Sequence, residues 1–204
     1  DDFSVEIKKL RKEDLPAGDV LIKVHYSSVN YKDGLAAIPD GNIVRNYPHV
    51  PGIDLAGVVV ESDHADFKPG DEVIATSYEI GVSHYGGFSE YARLSSDWVL
   101  PLPEGLSLKE AMTYGTAGFT AALAVHQLQF NGLKKDDGKV LVSGASGGVG
   151  SIALAMLAKL GFEVVASTGK ETAGDFLRSL GASEIISREA LQPEKVRPLD
   201  KQAW

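Results

Sequence analysis

Apolar and polar side chains alternate with a period of two from Val20 to Ser27. Val20, Ile22, Val24 and Tyr26 share one face; Leu21, Lys23, His25 and Ser27 share the other. This pattern predicts a half-buried strand and puts His25 on its more polar, solvated side. Further strands are predicted at Leu55 to Val60, Glu72 to Ser77, Gly87 to Leu94 and Trp98 to Pro101, separated by punctuation such as Lys68-Pro69-Gly70-Asp71. Residues 1–104 are therefore expected to form a partly closed β-domain. After Leu102-Pro103-Glu104-Gly105 the pattern changes. Ser107-Leu108-Lys109-Glu110 has the spacing of a capping box, in which hydroxyl and carboxylate satisfy the exposed backbone donors of a helix start. A helical stretch is predicted from there to about Phe130.

From Lys139 the chain reads strand (Val140 to Ser143), glycine loop, helix (Gly148 to Leu160), strand (Glu163 to Thr168), helix (Lys170 to Leu180), strand (Glu184 to Ser187). Gly161 and Gly181 are placed to end the two helices. Val149, Ile152, Ala153, Met156, Leu157 and Leu160 fall on one helical face that is expected to pack on a parallel sheet. The fold class is α/β: a β-rich domain, then, over 105–204, the βαβαβ beginning of a doubly wound sheet. Such a sheet has roughly six strands, and about three precede Trp204. The second half is expected to be missing, and these residues alone to be poorly soluble and inactive.

Composition narrows the functions. A net charge of -8 with scattered Lys and Arg offers no field for nucleic acid. The apolar stretches at 52–60 and 152–167 are short or interrupted by Lys159 and Glu163, so no membrane span is expected. The acidic N-terminus does not read as a signal peptide. With no cysteine there is no disulfide, thiol nucleophile or thiolate ligand, which agrees with a reducing, cytoplasmic compartment. The five histidines, at 25, 49, 64, 84 and 126, lie at no short ligand spacing, and no metal site is expected.

The chemistry concentrates in Val140-Leu-Val-Ser-Gly144-Ala-Ser-Gly147-Gly148-Val-Gly150, a glycine loop between a buried strand and an amphipathic helix. Glycines allow a tight turn and let a pyrophosphate approach the helix N-terminus, where free N–H groups favour an anion. The alternative is a purely structural turn. The tip of the second strand, where NAD-binding folds usually carry an acid, reads Ser167-Thr168-Gly169-Lys170, with no carboxylate before Glu171. A 2′-phosphate would welcome the hydroxyls and the cation, with Arg188 as a second cation, so NADP(H) is favoured over NAD. Against this, Thr168 to Glu171 also has capping-box spacing, and Lys170 can be read as merely solvated.

Asn30-Tyr31-Lys32-Asp33-Gly34, Pro51-Gly52-Ile53-Asp54-Leu55-Ala56-Gly57, Pro69-Gly70-Asp71-Glu72-Val73, Gly86-Gly87-Phe88-Ser89-Glu90-Tyr91-Ala92 and the glycine loop occur in the order seen in the medium-chain dehydrogenase/reductase superfamily. The chain resembles its zinc-free quinone oxidoreductase branch, and through ATSYEIGVS and YGTAGFTAA the subgroup holding acrylyl-CoA reductases and related bacterial quinone oxidoreductases. The resemblance implies a GroES-like catalytic domain ahead of an incomplete Rossmann domain, hydride transfer from NADPH to an enoyl-CoA C=C bond or a quinone, and a homodimer. Where zinc enzymes of the superfamily carry Cys and Gly-His-Glu, this chain has Asn30-Tyr31 and Gly52-Ile53-Asp54, so positioned hydrogen-bond donors must do the work of a Lewis acid.

Residue by residue, the resemblance puts Tyr31 beside the nicotinamide with Asn30 and Asp33 flanking it, as the catalytic set. A phenol is a better hydrogen-bond donor than base; the alternative is a packing tyrosine. Thr116 and Thr120 are implied as cofactor contacts. Ser146, Gly147, Gly148 and Val149 would line the pyrophosphate, and Ser167, Thr168, Gly169, Lys170 and Arg188 the 2′-phosphate. Tyr78, Tyr85, Phe88 and Trp98 are expected to be packing residues. The competing readings are a general NADPH:quinone reductase and a non-catalytic NADPH-binding protein.

Overall fold

The computed structural model describes residues 3–191. The described residues make two compact units that divide between Thr116 and Ala117. The first is built on β1 (Val20–Tyr26), β2 (Asp54–Ser62), β3 (Glu72–Thr76), β4 (Tyr91–Leu94) and β5 (Val99–Pro101), a five-stranded sheet in the order β4-β1-β2-β3-β5 with antiparallel neighbours. A short helix, α1 (Tyr31–Ala36), follows β1. One face of the sheet buries Val20, Ile22, Leu55, Val59, Val73, Leu94 and Val99, each worth about 1.5–3 kcal/mol of apolar transfer at full burial. On the other face Ala56, Val58 and Ile74 are covered by Leu108, Ala111 and Met112. The stretch just past residue 104 thus packs with the β-domain, which is why the unit extends to 116. His25 is exposed, as its strand face predicts.

The strand expected from Gly87 begins only at Tyr91. Gly86 and Gly87 press instead against the turn before β2: a Cβ on Gly86 would lie 2.3 Å from the Gly52 oxygen, and one on Gly87 2.4 Å from the Asp54 oxygen. Gly87 N donates to Gly52 O at 2.8 Å and Phe88 N to Pro51 O at 3.0 Å. Backbone is thereby packed on backbone, which only glycine permits.

α2 (Leu108–Phe130) opens with the predicted box: Ser107 N and Oγ donate to Glu110 Oε2 at 2.9 and 2.6 Å. These bonds hold the Glu110 carboxyl below its ordinary range. The helix is broken at Gly115 (φ 49°, ψ -152°).

In the second unit β6 (Val140–Val142), β7 (Val164–Thr168) and β8 (Glu184–Ser187) form a parallel sheet in that order, with α3 (Gly148–Lys159) and α4 (Gly174–Ser179) as connections. β7 is buried along its whole length. The helix expected from Lys170 starts as a 3-10 turn at Glu171–Ala173 and becomes α-helical at Gly174. Gly161 (φ 88°) and Gly181 (φ 105°) end the two helices in the left-handed region. The face of α3 differs in part from expectation: Leu157 is buried and Met156 packs on the core as predicted, but Leu154 is buried as well, whereas Val149 and Leu160 are exposed. The missing side chain of Gly150 lets the helix start close to Gly144 and Ala145. Among the described residues no helix is long and apolar enough to cross a membrane.

Candidate functional site

In the first unit the strand-to-helix turn after β1 gathers the predicted catalytic set. Asn30 caps α1, its N–H donating to Asp33 Oδ2 at 2.8 Å. The other carboxylate oxygen of Asp33 accepts from Gly52 N at 3.1 Å and Ile53 N at 2.9 Å. Asp33 is 3% exposed, so its carboxylate is taken up by three backbone amides and locks α1 to the turn before β2. Tyr31 is the first residue of α1 and 85% exposed; its ring is not part of the β-domain core.

The side chain of Asn30 reaches deeper. Its Nδ2 donates to Asp54 Oδ2 at 2.8 Å, and Asp54 is fully buried at the start of β2. Thr116 N donates to the same oxygen at 3.0 Å, and the Thr116 hydroxyl donates to Asp54 Oδ1 at 2.5 Å. With its one proton directed at the carboxylate, the Thr116 oxygen accepts from the Ser77 hydroxyl 3.1 Å away. A buried carboxylate is tolerable only with such donors. Gly115 is required beside it, because a Cβ there would lie 2.3 Å from Ser28 Oγ and 2.6 Å from Asp54 Oδ2. Ser77 and the next residue, Tyr78, both sit at positive φ, 65° and 48°, a strained geometry held by this network and by the stacking of Tyr78 on Trp98 at 6.0 Å. Asp54 stood in a recognised motif but was assigned no role from sequence; the signal was an acid heading an otherwise apolar strand. Of the four aromatics expected to pack, Tyr78 and Phe88 are 64% and 43% exposed.

In the second unit the glycine loop folds as its composition implies. Gly144 is left-handed (φ 58°), Gly147 is the N-cap of α3, and a Cβ on Gly150 would lie 2.4 Å from Gly144 O. Gly147, Gly148 and Val149 are exposed at the start of a 12-residue helix, the position where backbone N–H groups lack intrahelical partners. Ser146 and Thr168 join their hydroxyls at 2.9 Å, and Lys170 N donates to Thr168 Oγ1 at 3.1 Å. The loop is thus tied to the tip of β7. Ser167, 2% exposed, stays inside the sheet with its hydroxyl 3.5 Å from Ser187 O. At the tip itself the guanidinium of Arg188 lies over Gly169, so that a Cβ there would meet it at 3.2–3.4 Å. Lys170 is exposed beside it. Thr120 is exposed on α2.

Residues 16–104 match the alcohol dehydrogenase GroES-like domain family. The chain is 52% identical over 198 residues to the acrylyl-CoA reductase AcuI of Ruegeria pomeroyi, an alignment covering 97% of this chain and 60% of AcuI. It is also similar to the crystal structure of the Bacillus subtilis protein yhfP with NAD bound (TM-score 0.94, 61% identity, 98% of this chain and 61% of that one). The yhdH oxidoreductase of Salmonella enterica in complex with NADP matches at a TM-score of 0.93 and 49% identity, over 98% of this chain and 61% of that one. The chain spans 60–61% of the length of these relatives.

Proposed function

We propose that this chain, which is similar to the quinone oxidoreductases and acrylyl-CoA reductases of the medium-chain dehydrogenase/reductase superfamily, serves an NADPH-dependent reductase of enoyl thioesters of the acrylyl-CoA type. The observation that carries the cofactor is the tip of β7. One of the relatives above is described with NAD and the other with NADP, so the choice rests on local chemistry. Arg188 over Gly169, with Lys170 adjacent and no carboxylate from Ser167 to Lys170, suits a 2′-phosphate. The amides at the start of α3 would hold the pyrophosphate, with the Ser146–Thr168 pair keeping the loop in place.

Bound NADPH supplies the hydride. The chain's own part is to stabilise the negative charge that develops on the thioester carbonyl as hydride adds to the β-carbon, and to exclude water. Tyr31 offers an exposed phenol donor next to Asn30, while Asp54 orients Asn30 and Thr116, and Asp33 fixes the turn that carries them. The reaction is taken to need no zinc, since Asn30-Tyr31 and Gly52-Ile53-Asp54 stand where zinc enzymes of the superfamily carry Cys and Gly-His-Glu. A homodimeric, cytoplasmic enzyme completes the reading.

The test is NADPH oxidation by the purified protein, in its full length, with acrylyl-CoA and a benzoquinone as parallel acceptors and NADH as control. Turnover of the thioester with NADPH, reduced at least about tenfold in kcat/KM by Arg188→Gln, is expected. Turnover of the quinone alone would replace the thioester reading with general quinone reduction.

A further inference from the structure

Two loops of the first unit, 37–53 after α1 and 77–84 after β3, meet backbone to backbone: a Cβ on Gly81 (φ 69°) would lie 2.7–2.9 Å from backbone atoms of Gly52. Between them opens a cavity of about 370 Å³, lined among others by Arg45, Asn46, His49, Glu79 and Ser83, a size usual for small-molecule sites. Both walls hang from the candidate site. The first loop ends at the amides held by Asp33, and the second begins at Ser77, which bonds Thr116.

Asn42, also in the lining, donates its Nδ2 to Asp40 O at 2.9 Å, whereas other polar side chains of this cavity are exposed and have no partner among the described residues. Among the described residues Arg45 makes no ion pair, although Glu79 lines the same cavity, and the side chains of Asn46 and Ser83 make no hydrogen bond. The Nε2 atom of His49 is buried without a partner, its ring edge-on to Tyr85 at 5.9 Å. Burial holds the His49 imidazole below its ordinary pKa, which favours the neutral ring and leaves it able to accept.

We propose that this cavity receives the anionic, amide-bearing arm of a coenzyme A thioester, with Arg45 engaging a phosphate and Asn46, His49 and Ser83 meeting the amide and hydroxyl groups of the arm. The inference rests on the thioester reading and names what a thioester offers that a quinone does not. A guanidinium pairs with phosphate through two parallel hydrogen bonds, and the buried Nε2 of His49 disfavours ligands that leave it unmet. Glu79 carries the opposite charge to Arg45 and opposes the phosphate, so removing its charge should help the same ligand.

Calorimetric titration with desulfo-coenzyme A, which carries the arm without the thiol, tests this on the full-length protein. Arg45→Gln should weaken binding about tenfold, and Glu79→Gln should tighten it. Opposite signs from two neighbouring neutralisations cannot come from misfolding. Absence of binding to the unaltered protein, or an Arg45→Gln variant that binds as well, would overturn the site. Because no hydride moves in this experiment, a protein that binds the arm yet reduces only quinones would sink the reductase reading and leave the site standing.

Discussion

Asp54 concentrates the chemistry of the first unit in two oxygen atoms. One accepts from the Asn30 amide and the Thr116 N–H, the other from the Thr116 hydroxyl. Asp54→Ala leaves three donors unmet in a fully buried place and should destabilise the protein by about 3 kcal/mol or more. Asp54→Asn keeps the shape. Its amide oxygen can face the two N–H donors, and its NH2 turns the Thr116 hydroxyl from donor into acceptor, so the stability loss should be about 1 kcal/mol. The hydroxyl proton is then redirected toward Ser77, and activity should fall by far more than stability does. Chemical denaturation and kcat of both variants check this; equal losses of stability would show that the carboxylate is not the hub. Little of this was legible beforehand. Asn30 and Asp33 were marked by their motif, but the partners of Asp54 lie 24 and 62 residues away in sequence, and no local pattern reports such a meeting.

Elements with an uninterrupted period were legible: β8 matches its predicted residues, and β1 and β7 each lie within one residue of their predictions. Departures occur where glycines bring backbones together. Gly87 reads as the start of a strand because the residues after it alternate, yet Gly86 and Gly87 lie against the Gly52 turn. The break in α2 has the same origin. At Gly115 an alanine would meet both a left-handed backbone and contacts under 3 Å to Ser28 and Asp54. Gly115→Ala should therefore cost about 2 kcal/mol or more, although alanine normally improves a helix interior. A thermal melt decides the sign, and a stabilised variant would mean that the break is not maintained.

At the scale of the molecule, α2 belongs to two cooperative units. Ala111 and Met112 pack with Ala56, Val58 and Ile74, whereas Val125 packs with Val142, Leu154 and Val164. Native-state hydrogen exchange in rising denaturant should show the amides of 112–114 opening with β2 and β3, and those of 122–126 opening with β6 and β7. A single opening energy along all of α2 would contradict the division at residue 116. From sequence the second domain is expected from residue 105, where the GroES-like family match also ends, while the compact units divide after Thr116.

Ser77 and Tyr78 also bear on how this protein would respond to laboratory selection. Two consecutive non-glycine residues at positive φ store about 1–3 kcal/mol each, and glycine at either place would release it. A library screened only for heat resistance would be drawn to this loop, and its winners at position 77 would have exchanged the hydroxyl next to Thr116 for a higher melting temperature. Durability and chemistry compete here for the same pair of residues.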